Sequence, residues 1–434
     1  MHISNIIYRG GTNFPGKIAL KFDEKILTRL SKNYEVILIT GTNGKTTTTN
    51  MIYSIIKNSG VDVITNSTGA NLYTGIISCF LKNYSVFYKN RHRYAVIEVD
   101  EANVKYITEY ISPKIICITN LFRDQLDRYG EVYTTLEKII EGIKKTPASI
   151  LILNGDESLF GNMSIPNKIL YYGFNSPMDK SNKIPVNADA KFCKICKTPY
   201  NYNFVIYNHL GDFYCPSCGY KRPRLDFSID KVLSLTPSGS NVEINNNEYF
   251  INQAGTYNVY NALCAFATCK TLNIDESVIH NSLKSLDSSF GRQEIIKINR
   301  TNLKIILVKN PAGFDEALNS INLDQSNKSL ALLLNDNYAD GKDVSWIWDV
   351  DFENLNNHKI DNILLSGVRL YDLSIRLKVA GFNEKLFLLC DNYESLLDRI
   401  ENSDDSMIYM LATYTAMTSF RKFLNNKGYI KKLW

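Results

Sequence analysis

The chain has 434 residues, 44% of them hydrophobic, enough for two or three domains with proper cores. A formal charge of +5 is small for this length and argues against a dedicated nucleic-acid binder, which would cluster Lys and Arg. No apolar run approaches the roughly 18 residues of a membrane span, and MHISNIIYRGGTNFPGK at the N-terminus has no secretory apolar core, so a cytoplasmic protein is expected.

Residues 1–33 read as a short lead-in with one helix. From about residue 34, short apolar runs alternate with amphipathic stretches. YEVILIT, YAVIEVD, KIICITN and SILILN read as buried parallel strands, with helices such as 45–59 and 131–145 between them. That is the βαβ grammar of an α/β domain. The pattern breaks into polar loops at about 175–225, then resumes with strands in VLSLTPSGSNVEINNNEYFINQAG and a helix over 257–272. KIILVKN, SLALLLND, NILLSG and KLFLLC form a second α/β unit, with helices near 312–321, 369–380, 392–402 and 415–426. The expected division is 1–33, 34–296 and 297–434.

ILITGTNGKTTTTN (37–50) places a glycine turn between a strand and a helix. Gly41 and Gly44 let backbone N–H groups point inward, and the new helix adds unpaired N–H groups and a positive dipole end. Lys45 supplies a cation for phosphates and Thr46 a hydroxyl for Mg²⁺. An ordinary glycine turn would not explain why Lys and Thr follow at once. YAVIEVDEAN offers carboxylates for the metal. Glu98, flanked by Ile97 and Val99, is a charge inside an apolar strand, and such charges are usually paired or metal-bound. Asp100 and Glu101 also fit solvent-exposed strand ends.

Of nine cysteines, Cys79, Cys117, Cys264, Cys269 and Cys390 sit in apolar runs and read as small core residues. Cys193, Cys196, Cys215 and Cys218 form two CxxC knuckles separated by 18 residues, the spacing of a closed Zn²⁺ site. A redox CxxC comes singly at a helix start. A zinc ribbon over about 188–224, inserted in the first α/β domain, is expected to be structural, with a scaffold or docking role separate from the chemistry.

TGTNGKTT, VIEVDE, TNLFRDQLDRYG (119–130), GTYNVYNALCA (255–265), GRQE (291–294) and KNPAGFDEAL (309–318) together resemble the Mur ligase family, which includes folylpolyglutamate synthase. The three-residue glycine spacing is that family's form of the loop. The resemblance implies an α/β fold: a Mur ligase-like central ATP-binding P-loop domain carrying the four-cysteine zinc ribbon, plus a C-terminal Rossmann-like domain. It implies that Gly41, Thr42, Asn43, Gly44, Lys45, Thr46 and Thr47 cradle ATP, and that Thr46 and Glu98 hold Mg²⁺. Asn261 would bond the adenine and Arg292 would reach the nucleotide across the domain junction. Asn261 also fits a helix-surface amide, and Arg292 a surface cation.

Two departures narrow the resemblance. The phosphate loop arrives by residue 41, leaving no room for the UDP-binding domain of ordinary Mur ligases, and few members carry a zinc ribbon. With NDNYADGKDVSWIWDVDFE (335–353), these features resemble the amidating branch of the family, the synthetase subunits of lipid II isoglutaminyl synthases. The implied reaction is a glutamine-dependent amidation in peptidoglycan synthesis. ATP activates the α-carboxylate of D-glutamate in lipid II as an acyl phosphate, and ammonia converts it to D-isoglutamine. Ammonia would come from a separate glutaminase subunit, GatD, in a heterodimer. Lipid II would be met at the inner face of the membrane, with no nucleic acid involved. Asp343 would serve the glutaminase His in trans; on composition alone Asp336, Asp340 and Asp349 would serve as well. Trp346 and Trp348 suit either a partner interface or core packing. A role for Asp124 or Asp127 at a second metal stays open. The rival readings are a stand-alone amino-acid ligase of the folylpolyglutamate synthase type and a zinc-ribbon NTPase that binds nucleic acid.

Overall fold

The computed structural model describes residues 13–66, 70–84, 93–123, 132–178, 182–185, 188–286, 292–355 and 359–431. Asp124 and Asp127 lie outside them. The first sheet contains β1 (Glu35–Thr40), β2 (Asp62–Thr65), β3 (Arg93–Glu98), β4 (Ile115–Ile118), β5 (Ile150–Asn154), β6 (Ile169–Phe174), β9 (Phe227–Leu235), β10 (Ser240–Ile244) and β11 (Asn247–Ile251). Its order is β11-β10-β9-β6-β5-β4-β1-β3-β2. Pairing is parallel from β2 through β9, and β10 and β11 add an antiparallel meander.

The central strands are apolar on both faces because helices cover both. Ile37 and Ile39 of β1 pack with Ile52, Ile55, Val259 and Leu263 on one side, while Leu38 packs with Ile76, Ile97 and Ile139 on the other. The Thr256–Thr271 helix is buried along 13 of its 16 residues, packed over the sheet and the Lys45–Asn58 helix. The lead-in carries two helices, Phe14–Phe22 and Ile26–Ser31, rather than one. Both pack on the Tyr73–Lys82 helix.

The ribbon is a separate hairpin of β7 (Asn201–Tyr207) and β8 (Leu210–Tyr214). The second sheet runs β12-β13-β17-β14-β15-β16. Its strands are β12 (Arg292–Ile298), β13 (Thr301–Leu307), β14 (Lys328–Leu333), β15 (Ile360–Ser366), β16 (Phe387–Leu389) and β17 (Met407–Ala412). The division expected at 297 therefore falls inside β12, which pairs along β13, so the second sheet has already begun at Arg292. β17, absent from the sequence reading, is the strand that joins β13 to β14.

In parallel sheets, ligands bind beyond the carboxyl ends of the strands, where the strand order reverses. β1 lies between β3 and β4, and β17 lies between β13 and β14. The loops leaving these strands supply the walls of one cleft.

Candidate nucleotide-binding cleft and cysteine cluster

The loop after β1 depends on its glycines. Gly41 and Gly44 sit at φ 120° and 85°, and a Cβ on Gly44 would strike the Asn261 amide. Asn120 Oδ1 accepts from the Asn43 N–H at 2.9 Å and Thr119 Oγ1 donates to the Asn43 carbonyl at 2.6 Å, so the loop after β4 fixes the turn. Lys45 opens the helix. Its Nζ donates to the Gly41 carbonyl at 2.5 Å and lies 3.0 Å from Glu101 Oε1.

Thr46 Oγ1 donates to Glu98 Oε2 at 2.8 Å, and the Asn71 amide donates to Glu98 Oε1 at 3.2 Å. A hydroxyl and a carboxylate oxygen side by side in a cleft suit a hard divalent cation. Asp100 and Glu101 are buried, contrary to the solvent-exposed alternative. β3 ends at Glu98, and Asp100 caps the following turn by accepting from the Ala102 N–H at 3.2 Å. Burial pushes the Glu101 carboxyl above its ordinary range, against the pull of Lys45.

The cleft measures about 440 Å³, room enough for a nucleotide. The first unit lines it with Thr42 to Thr47, Glu98, Asn120, Tyr207, Tyr257 and Asn261, and the second with Lys309, Gly313, Glu316, Tyr338, Asp340 and Tyr414. Asn261 is buried: it accepts from Thr48 Oγ1 at 3.3 Å and donates to Asn258 at 3.1 Å. Asn310 caps the Pro311–Asn322 helix and donates from Nδ2 to Asn43 Oδ1 at 3.0 Å, tying the phosphate loop to the second unit. Arg292 opens β12; its side chain lies outside the description.

Sequence reasoning missed Lys309, Asn310, Glu316 and Tyr207. Lys309 and Asn310 stand in the quoted KNP segment, where Pro after Asn was the available signal for a capped helix. Glu316 is 4% exposed, and among the described residues its Oε2 has no hydrogen-bond partner. Burial raises its pKa to about 7. Between its ordinary 4.5 and 7 the folded state holds the proton more tightly, so this residue's contribution makes stability fall as pH rises. Glu316→Gln is expected to raise the melting temperature at pH 8, relieving a penalty on the order of 3 kcal/mol, and to change little at pH 5. Melts of both proteins across that range test it.

The four grouped thiols lie within 4.8 Å of one another. Sγ separations are 3.6 Å for Cys193–Cys218 and 3.4 Å for Cys196–Cys215. Tetrahedral zinc with 2.3 Å bonds requires about 3.8 Å between sulfurs, so the cage fits. Lys197 and Gly219, just past each CxxC, take positive φ, as tight knuckles need. The hairpin is not separate from the cleft, however: Tyr207 is one of its lining residues.

Asp343 is exposed on the loop after β14, and its Oδ1 accepts from the Ser345 N–H at 2.8 Å. It does not line the cleft; Asp340 does, accepting from the Thr415 N–H at 2.7 Å. Asp336 pairs with Arg369 at 3.1 Å and Asp349 with Arg123 at 3.7 Å. Trp346 packs near Phe314 in the second core, whereas Trp348 is exposed.

A cleft lined by residues of both units around a lysine-bearing glycine turn fits a ligase of the Mur type, a family whose members are ATP-dependent. The Mur ligase middle domain profile matches residues 39–214, and the MurT ligase C-terminal profile matches 307–417. The pseudomurein peptide ligase type C of Methanothermus fervidus superposes with a TM-score of 0.67 at 21% identity, over 91% of this chain and 79% of that one. The lipid II isoglutaminyl synthase (glutamine-hydrolyzing) subunit MurT of Streptococcus pneumoniae R6 is 42% identical over 97% of this chain and 94% of its own. The same subunit of Staphylococcus aureus COL is 32% identical over 97% and 94%. The chain belongs to the MurT family.

Proposed function

We propose that this chain is the ATP-dependent synthetase subunit of a two-subunit lipid II isoglutaminyl synthase. One observation carries the reading: Lys45 and the Thr46–Glu98 pair share one cleft with residues of the second unit, in a chain that aligns over 97% of its length with a MurT subunit. The parts are a lead-in, an ATP-binding domain with its ribbon, and a C-terminal domain that closes the cleft. Among the described residues no helix is long and apolar enough to cross a membrane. The chain meets lipid II as a peripheral protein at the inner face.

Gly41, Thr42, Asn43, Gly44 and Thr47 shape the cradle, and Lys45 leaves its loop carbonyls for phosphate oxygens. Thr46 and Glu98 would hold Mg²⁺, which would neutralise phosphate charge. Asn261 holds the adenine side, and Arg292 approaches the nucleotide from the second unit. The D-glutamate carboxylate oxygen bonds to the γ-phosphorus and ADP leaves. The nitrogen of ammonia then bonds to the acyl carbon and phosphate leaves. Pre-aimed donors stabilise the charge that develops in both steps. GatD hydrolyses glutamine to supply the ammonia, completed in trans by Asp343. Cys193, Cys196, Cys215 and Cys218 would hold Zn²⁺ as a closed structural site.

Co-purification with the glutaminase, followed by mass spectrometry of lipid II, tests the proposal. The expected product is lighter than the substrate by the difference between a hydroxyl and an amino group, and forms only with ATP. Turnover with a free amino acid and no partner would instead select the stand-alone ligase.

A further inference from the structure

Residues 156–161, which follow β5, form a seat for the ribbon. Two adjacent acids in it are fully buried. Asp156 pairs with Arg222, just past the second CxxC knuckle, at 2.9 Å, and accepts from Tyr260 at 2.7 Å. Glu157 pairs with His209, at the turn of the hairpin, at 2.8 Å, and neither side chain is solvent-accessible (0%). The Tyr220 hydroxyl donates to the Ser158 carbonyl at 2.6 Å, and Lys194 Nζ to the Leu159 carbonyl at 3.1 Å.

The zinc knuckles occupy one end of the hairpin and the His209 turn the other. The turn points toward the cleft. Glu157 Oε2, which bonds His209, also accepts from the Leu121 N–H at 3.3 Å. Leu121 follows Asn120, whose amide holds the Asn43 N–H of the phosphate loop. The Phe122 ring stacks on Tyr207 at 5.3 Å and lies 4.9 Å from His209. The Tyr207 phenol faces the Asn43 side chain and shares the cleft wall with Glu316. A fully buried hydrogen-bonded pair holds its partners in one geometry, and here Glu157 also holds the 119–122 loop.

We propose that the zinc-knuckle hairpin is a positioning element of the nucleotide cleft, acting through Tyr207 on Asn43 and through His209 and Glu157 on the 119–122 loop. The ribbon is then part of how ATP is held, not only a scaffold. This rests on the reading of the cleft as the nucleotide site. His209 touches no reacting atom; it sets the loop that sets the phosphate turn.

The test compares His209→Ala, His209→Gln and Tyr207→Leu in the full chain, measuring zinc content, melting and ADP affinity by calorimetry, and the ATP KM and kcat of the complex with its glutaminase. Loss of one buried hydrogen bond should weaken ADP binding about tenfold in His209→Ala. Zinc should remain bound, KM should rise and kcat should hold. Glutamine, which can still donate to Glu157, should restore affinity. Tyr207→Leu should weaken ADP binding without disturbing the knuckles, and it carries the test should His209→Ala fail to fold. Unchanged ADP affinity in the folded, zinc-loaded variants overturns the proposal. Absence of ADP binding to the unmodified chain would overturn the nucleotide reading itself.

Discussion

Lys45→Ala is expected to abolish ATP-dependent amidation of lipid II while the protein remains folded. The loss should exceed the roughly 10²–10³-fold typical of removing one donor to developing charge, because Lys45 is the cation built into the phosphate turn. Folding is the less obvious half. Lys45 faces Glu101 inside the protein at 3.0 Å. Breaking a buried ion pair costs about 3–5 kcal/mol when the orphan stays charged. Glu101 need not stay charged. Burial and the nearby Asp100 already push its carboxyl upward, and without Lys45 only the weaker pulls of Lys309 and a backbone hydrogen bond oppose them. The orphan therefore takes up a proton, and the melting temperature should fall by less than a broken pair would suggest. Lys45→Ala/Glu101→Gln should recover that melting temperature and none of the activity. Amidation at the normal rate in Lys45→Ala would remove Lys45 from the chemistry.

The parts of the cleft legible in the sequence are those that local backbone chemistry dictates. A glycine turn between a strand and a helix announces itself, because its φ values and the adjacent Lys-Thr leave few alternatives. CxxC pairs do the same, since two knuckles need only the residues between them. Glu98 stood out as a charge in an apolar strand. What was hidden depends on long-range pairing. Glu101 reads as a strand-end charge until Lys45, 56 residues away, is folded against it. His209 lies in an ordinary turn, and nothing local shows that Glu157 waits 52 residues upstream. β17 was missed for a related reason: its place between β13 and β14 is set by crossovers, not by anything local in SMIYMLA.

Asp343→Asn is expected to separate the two sources of nitrogen. The carboxyl of Asp343 is held below its ordinary range by hydrogen bonds from Ser345, so it is ionised at neutral pH. Three residues earlier, Asp340 clamps the same loop to Thr415 at the cleft. The loop is thus anchored on the synthetase side and presents Asp343 outward, where a second protein can meet it. An ionised acid on a glutaminase histidine fixes the tautomer and stabilises the imidazolium form, and the isosteric amide does neither. Glutamine-driven amidation should fall on the order of 10³-fold or more. Amidation driven by high ammonium should stay near the unmodified rate, with the ATP KM unchanged, because Asp343 does not line the cleft. Loss of both activities would place Asp343 in the synthetase reaction or in subunit assembly. Loss of neither would move the in-trans role elsewhere, and Asp349 becomes the next residue to replace, since its side chain is more exposed than those of Asp336 and Asp340.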